Sequence, residues 1–302
     1  MARSKVPIAL ALVGLFGCSA SDPDPRRASD PARTPSAQQA APEVAPSPRE
    51  ERAALSYSGE LTQGGFIRGQ VPSGAVRAVL GDEALELAED GAFFAAFDRD
   101  SPASLVLSAT LADGSRVNET LTVTERTWPV QNINAAKRPA GSSEAWWKRR
   151  EPEYNAIVAA RAKVTDAQGW KQDFIWPVKG RISGPFGVQR VYRGEPGSYH
   201  SGVDIAPGNG VPFVAPADGV VVLARTGFSL EGGLIIVDHG GGLNSAFLHC
   251  SKIAVEEGEA VSQGQYIGNV GSTGRSTGPH LHWGLKWNEA RLDPLLFAGS
   301  ME

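Results

Sequence analysis

The chain has 302 residues, 41% apolar and 21% charged, enough for one large or two ordinary globular domains and too apolar for a purely disordered or fibrous protein. A formal charge of −4 leaves no global positive field to gather phosphates, so no nucleic-acid partner is expected. Two cysteines, Cys18 and Cys250, allow at most one bridge, so packing rather than a disulfide scaffold must hold the fold together.

At the amino terminus Arg3 and Lys5 precede an apolar run over 6–17. The run is about half of the roughly 20 residues needed to cross a bilayer, which predicts a signal peptide over 1–17. It ends Leu15-Phe16-Gly17-Cys18, which resembles the lipobox of bacterial lipoproteins. That resemblance implies cleavage before Cys18, lipidation of Cys18, and export to a lipid-anchored position in the cell envelope. With Ser19 in place of an aspartate, the periplasmic face of the outer membrane is implied. The next stretch, 18–54, contains seven prolines and nine alanines, with Val44 as its one large aliphatic residue. It cannot bury enough apolar surface to offset its ordering entropy and reads as a disordered tether.

Over 55–128, short apolar stretches alternate with turn signals at Gly64-Gly65, Pro72-Ser73-Gly74, Asp90-Gly91 and Asp113-Gly114, which predicts a small antiparallel β-sandwich. A hairpin is expected where 105–107 and 121–123 flank the Asp113-Gly114 turn. No histidine, no cysteine and no acidic cluster at metal-ligand spacing occurs there, so binding or spacing fits this segment better than chemistry. A helical connector follows over 129–173. Its spacing of Trp146, Trp147, Tyr154, Ile157 and Val158 fits an amphipathic helix packed between two domains, with Pro152 starting a second helical piece. Lys148, Arg149, Arg150 and Arg161 read as its solvated face.

From 174 to 302 the chain reads as an antiparallel β domain, with strands at 220–224, 234–238, 246–249, 266–270 and 280–286. Twenty-three of the 35 glycines fall between Gly180 and Gly299, as tight turns between short strands require. All five histidines, His200, His239, His249, His280 and His282, lie in this region. Imidazole is the commonest zinc ligand and the side chain best suited to proton transfer near neutral pH. His280 and His282, two apart on a strand, project from one face. His200 and Asp204 add a nitrogen and a carboxylate donor, a mixture that suits zinc better than calcium or magnesium. A catalytic zinc keeps one position open, so some of these histidines must do something else; the residue pattern alone leaves open whether His280 or His282 is the ligand.

His200-x-x-x-Asp204, the stretch from Asp238-His239-Gly240 to Leu248-His249, and Gly271-Ser-Thr-Gly-Arg-Ser-Thr-Gly-Pro-His-Leu-His282 closely resemble the lysostaphin/LytM-type zinc metallopeptidases, which cut peptide bonds in peptidoglycan. The resemblance covers about 174–297. It implies one Zn²⁺ per chain held by His200, Asp204 and His282, with His249 and His280 as a catalytic pair that binds no metal. It also implies hydrolysis of peptidoglycan cross-links, in which zinc polarises the scissile carbonyl and lowers the pKa of its water while a histidine acts as base. His239 has no part in that scheme and reads as a structural residue at a turn. Cys250, where the family has leucine, reads as a small core hydrophobe.

Three other readings compete. A non-catalytic activator of cell-wall amidases, or a wall-binding protein acting through the sandwich, would leave the histidine set without use. A biotinyl or lipoyl carrier, suggested by the rhythm from Gly258 to Gly268, needs a lysine at a hairpin tip, and none lies between Lys252 and Lys286. A protein regulator is compatible with the sequence and not specified by it.

Overall fold

Short strands joined by tight turns dominate the chain. The computed structural model describes residues 54–137 and 143–301; the expected signal peptide, Cys18 and the tether up to residue 53 lie outside the described residues. The front strands are β1 (Ser56–Gly59), β2 (Phe66–Gln70), β3 (Ala75–Leu80), β4 (Glu83–Leu85), β5 (Ala92–Ala96), β6 (Ser104–Leu111) and β7 (Arg116–Thr122). They form two antiparallel sheets, β1-β2-β5 and β4-β3-β6-β7. Ile67, Phe93, Leu107 and Leu121 are fully buried in the shared core, the product of alternating inward positions. The expected hairpin is present: Leu105 pairs with Leu121, and Asp113 Oδ1 accepts from Ser115 N at 2.9 Å in the turn.

Next come β8 (Val130–Ile133) and α1 (Glu144–Arg161), whose first turn is capped by Ser143 Oγ accepting from Trp146 N at 3.2 Å. Three expectations about this helix are corrected. Arg150, read as part of its solvated face, is buried against Glu231. The segment is one continuous helix with Pro152 inside rather than two pieces, and it does not lie between two domains. Ala156, Ile157 and Ala160 pack on Val222, Leu223, Leu234 and Ile236, on the outer face of the rear sheet. Lys148 and Pro152 face solvent, so water can take the Lys148 carbonyl that Pro152 cannot satisfy.

The rear strands are β9 (Arg181–Gly184), β10 (Gln189–Tyr192), β11 (Glu195–Tyr199), β12 (Val203–Ala206), β13 (Pro212–Val214), β14 (Gly219–Phe228), β15 (Gly232–Asp238), β16 (Leu243–Leu248), β17 (Lys252–Ile253), β18 (Ala260–Val261), β19 (Tyr266–Asn269), β20 (Leu281–Trp287) and β21 (Ala290–Leu292), followed by α2 (Pro294–Ala298). Eight of them build one antiparallel sheet in the order β18-β14-β15-β16-β20-β12-β9, with β21 on β20. A small β13-β19-β17 sheet lies beside it, and β8 pairs in parallel with β10 of the β10–β11 hairpin. The fold is mainly β, as the sequence predicts. The described residues form a single unit, because the apolar core runs without a break from Ile67 and Phe94 through Phe297 to Trp283.

Candidate metal centre

Register places the candidate donors. Asp204 on β12 lies directly across from His282 on β20, and Leu248 pairs with His282 on the other side, so His249 emerges beside the same spot. Along β20, Leu281, Trp283, Leu285 and Trp287 are buried, which turns His282 and, by the same parity, His280 to the opposite face. On β12, buried Val203 and Ile205 turn Asp204 to that face too. His200 arrives from the end of β11, where its backbone N donates to Val188 O at 2.9 Å.

Three donor atoms converge. His200 Nε2 is 3.0 Å from Asp204 Oδ1, His282 Nδ1 is 2.8 Å from the same oxygen, and the two ring nitrogens are 3.1 Å apart. Among the described residues these three form the group able to share a cation. The His200 tautomer is fixed by its far side. Nδ1 lies 2.9 Å from Pro185 O, and a carbonyl only accepts, so Nδ1 carries the hydrogen and a neutral ring turns a lone pair at Nε2 toward Asp204. Two lone pairs facing each other at 3.0 Å require a positive charge between them, a proton or a metal ion. Tetrahedral zinc with bonds of about 2.0–2.1 Å spaces its donors by roughly 3.3 Å, close to the separations here. The donor set therefore fits the ion. Burial alone would raise the Asp204 carboxyl, but the His200 and His282 rings beside it hold it far below the usual carboxylate range. Burial lowers His282, against the pull of Asp204.

The other two imidazoles have the same orientation device. His280 Nδ1 donates to Gly278 O at 2.8 Å, and its Nε2 lies 3.6 Å from Asp204 Oδ1. His249 Nδ1 donates to Thr273 O at 2.8 Å, and its ring centroid is 4.8 Å from that of His280. In neutral rings both Nε2 atoms are then unprotonated. Burial lowers the His249 pKa, which keeps that ring neutral near pH 7. His249 has φ of +67°, a left-handed conformation rare outside glycine, which is frequent where a side chain is aimed for function.

His239 stands apart. It is fully buried, Nδ1 at 2.7 Å from Asp218 O and Nε2 at 2.8 Å from Ser245 Oγ, and burial brings its pKa down to about 4. Cys250 is buried with its thiol pushed up to about 12, a core residue without thiolate character. Sequence reading misses the groups that orient the imidazoles, Pro185 O, Gly278 O and Thr273 O, since a backbone carbonyl leaves no mark in residue type. It also passes over Gly202, although that glycine sits inside the His200 to Asp204 motif.

Residues 198–294 match the model of peptidase family M23. Over 111 residues the chain is 42% identical to the peptidoglycan DD-endopeptidase ShyA of Vibrio cholerae, covering 35% of this chain and 25% of that protein. Over 122 residues it is 33% identical to the murein hydrolase activator NlpD of Escherichia coli, covering 40% and 30%. The chain thus spans about a third or less of the length of these curated relatives. A crystal structure of a peptidase M23 protein from Pseudomonas aeruginosa superposes with a TM-score of 0.62 at 29% identity, covering 80% of this chain and 96% of that one, so the likeness extends through the front sheets. By motif, sheet and match, residues 198–294 form a domain of peptidase family M23.

Proposed function

We propose that this chain is a zinc-dependent endopeptidase that hydrolyses the peptide cross-links of peptidoglycan, with 174–302 as its peptidase domain. In this reading 55–128 and 129–173 are a front domain and a connector, and Cys18 carries a lipid that anchors the exported protein at the periplasmic face of the outer membrane. One observation carries the enzymatic part: three donors meet at one point, and two further imidazoles stand beside them with Nε2 free.

When bound, zinc supplies Lewis acidity, polarising a carbonyl and making water a better nucleophile near neutral pH. His200 Nε2, His282 Nδ1 and Asp204 Oδ1 would hold it, one ion per chain. His280 and His249 provide the proton chemistry. Each has its Nδ1 hydrogen committed to a backbone carbonyl, so each can take a proton only at Nε2. A ring that has taken a proton there can hand it to the departing amine or donate to a developing oxyanion. NlpD is named as an activator, but the complete donor set and this oriented pair favour a hydrolase.

Digestion of isolated sacculi by the zinc-loaded protein, followed by mass analysis of the released fragments, tests the reading. Cleaved cross-links are expected from the wild type. His249→Ala and His280→Ala should abolish cleavage while retaining zinc, and His282→Ala should lose the metal. Intact cross-links after incubation with zinc-loaded wild type would reject the enzymatic reading.

A further inference from the structure

We propose that Arg99, in the loop after β5 of the front sheets, is a positioning residue for the metal ligand His200, so that the front part of the chain completes the metal site. The inference rests on the zinc reading above and extends it to residues far from the cluster in sequence.

Arg99 is a buried arginine, 7% exposed, whose guanidinium reaches out of the front sheets. Its Nε and Nη2 donate to Gly187 O at 3.1 and 3.0 Å. Gly187 N in turn donates to His200 O at 2.8 Å, and His200 N donates to Val188 O at 2.9 Å. A two-bond ladder thus fixes the His200 backbone to the 187–188 segment, and Arg99 grips that segment from behind. The neighbouring residue is held as well: the guanidinium carbon lies 4.4 Å from the ring centroid of Tyr199, immediately before His200.

Trp128 closes the arrangement. It lies under Gly187, whose φ is +82°, and a Cβ there would meet Trp128 Cε3 at 2.0 Å, so only glycine fits against the indole. Arg99 and Arg126 stack on the same indole, 5.1 and 4.4 Å from its centroid. Among the described residues, Trp128 Nε1 is a buried polar side-chain atom left without a partner. An unpaired buried N–H is destabilising, a penalty tolerated when the ring is needed as a surface. The ring here supports the 186–187 turn, with Phe186 packed edge-on at 5.6 Å.

Groups behind a metal ligand set its orientation, and removing one typically weakens metal affinity roughly 10- to 100-fold. Arg99→Ala should therefore raise the zinc Kd of the folded protein by about that factor, read by competition with a chromophoric chelator after circular dichroism establishes folding. Arg99→Lys, which keeps a charge over Tyr199 and one donor for Gly187 O, should recover part of the loss. The control is Arg68→Ala. Arg68 also joins front to rear, donating to Trp170 O at 2.6 Å, but does not touch the His200 ladder, so zinc affinity should stay at the wild-type value. If Arg99→Ala does not fold, Arg99→Gln carries the test with the same expectation. Unchanged Kd in the folded Arg99 variants, or equal weakening by Arg68→Ala, overturns the proposal. Wild-type protein that binds no zinc overturns the metal reading itself, a separate outcome.

Discussion

A hydrogen is all that the backbone can carry at position 202. A Cβ built on Gly202 would lie 2.5 Å from Trp283 O and 2.7 Å from His282 Nε2. The first neighbour is strand backbone that cannot swing aside, so any side chain pries β12 away from β20 or pushes the His282 ring out of place. Either movement separates Asp204 from His282, which face each other across those two strands. Gly202→Ala is therefore expected to weaken zinc binding at least about tenfold, since a ligand moved by even a fraction of an ångström leaves the narrow range of metal–nitrogen distances. Chelator competition measures it, and a wild-type Kd in the folded variant would refute the steric argument.

At the scale of elements, α1 is held by charge as much as by apolar contact. Arg150, 8% exposed, donates through Nη1 and Nη2 to both oxygens of Glu231 at 2.7 Å and through Nη1 to Glu153 at 3.0 Å, and Glu153 also accepts from Ser229 N and Oγ. Arg150→Ala would leave two largely buried carboxylates without their cation. Breaking one side of such a network costs roughly 3–5 kcal/mol, whereas an exposed neighbour such as Lys148→Ala should stay within about 0.5 kcal/mol. Urea unfolding of the two variants should separate them by several kcal/mol, and equal midpoints would contradict the network. The same helix marks where sequence reading stops. Lys148, Arg149 and Arg150 look alike as a basic run, and only the fold brings Glu231 to one of them, 81 positions away. The strands were readable because alternation along one segment decides which face is buried, and the site residues because His200 and Asp204 lie four positions apart and His280 and His282 two apart. The helix position, Arg99 and Trp128 depend on long-range partners that no local pattern encodes.

At the scale of the molecule, the front and rear sheets are joined by aromatic contact rather than by a loose hinge. Phe297 on α2 stacks on Phe66 of β2 with centroids 4.1 Å apart and packs on Phe174 at 5.4 Å, while Phe94 of β5 meets Trp287 of β20 edge-on at 6.3 Å. Asp293 locks α2 into this seam. It caps the helix by accepting from Leu295 N at 3.1 Å and accepts from Arg126 Nη2 at 2.8 Å with its other oxygen. Separating the two halves would expose this surface on both sides, so neither can unfold without weakening the other. Unfolding of the zinc-free protein in urea is therefore expected to be one transition, with tryptophan fluorescence and far-ultraviolet circular dichroism tracing the same curve. Phe297→Ala should lower stability by about 3–5 kcal/mol, the usual cost of emptying a buried phenylalanine site. The direction of failure is informative: an independently stable front module would give Phe297→Ala two midpoints, the earlier one carrying the loss, because only the half that kept its own core could survive the break. A single midpoint moved down as a whole means instead that the support behind His200 and the metal donors themselves stand or fall together.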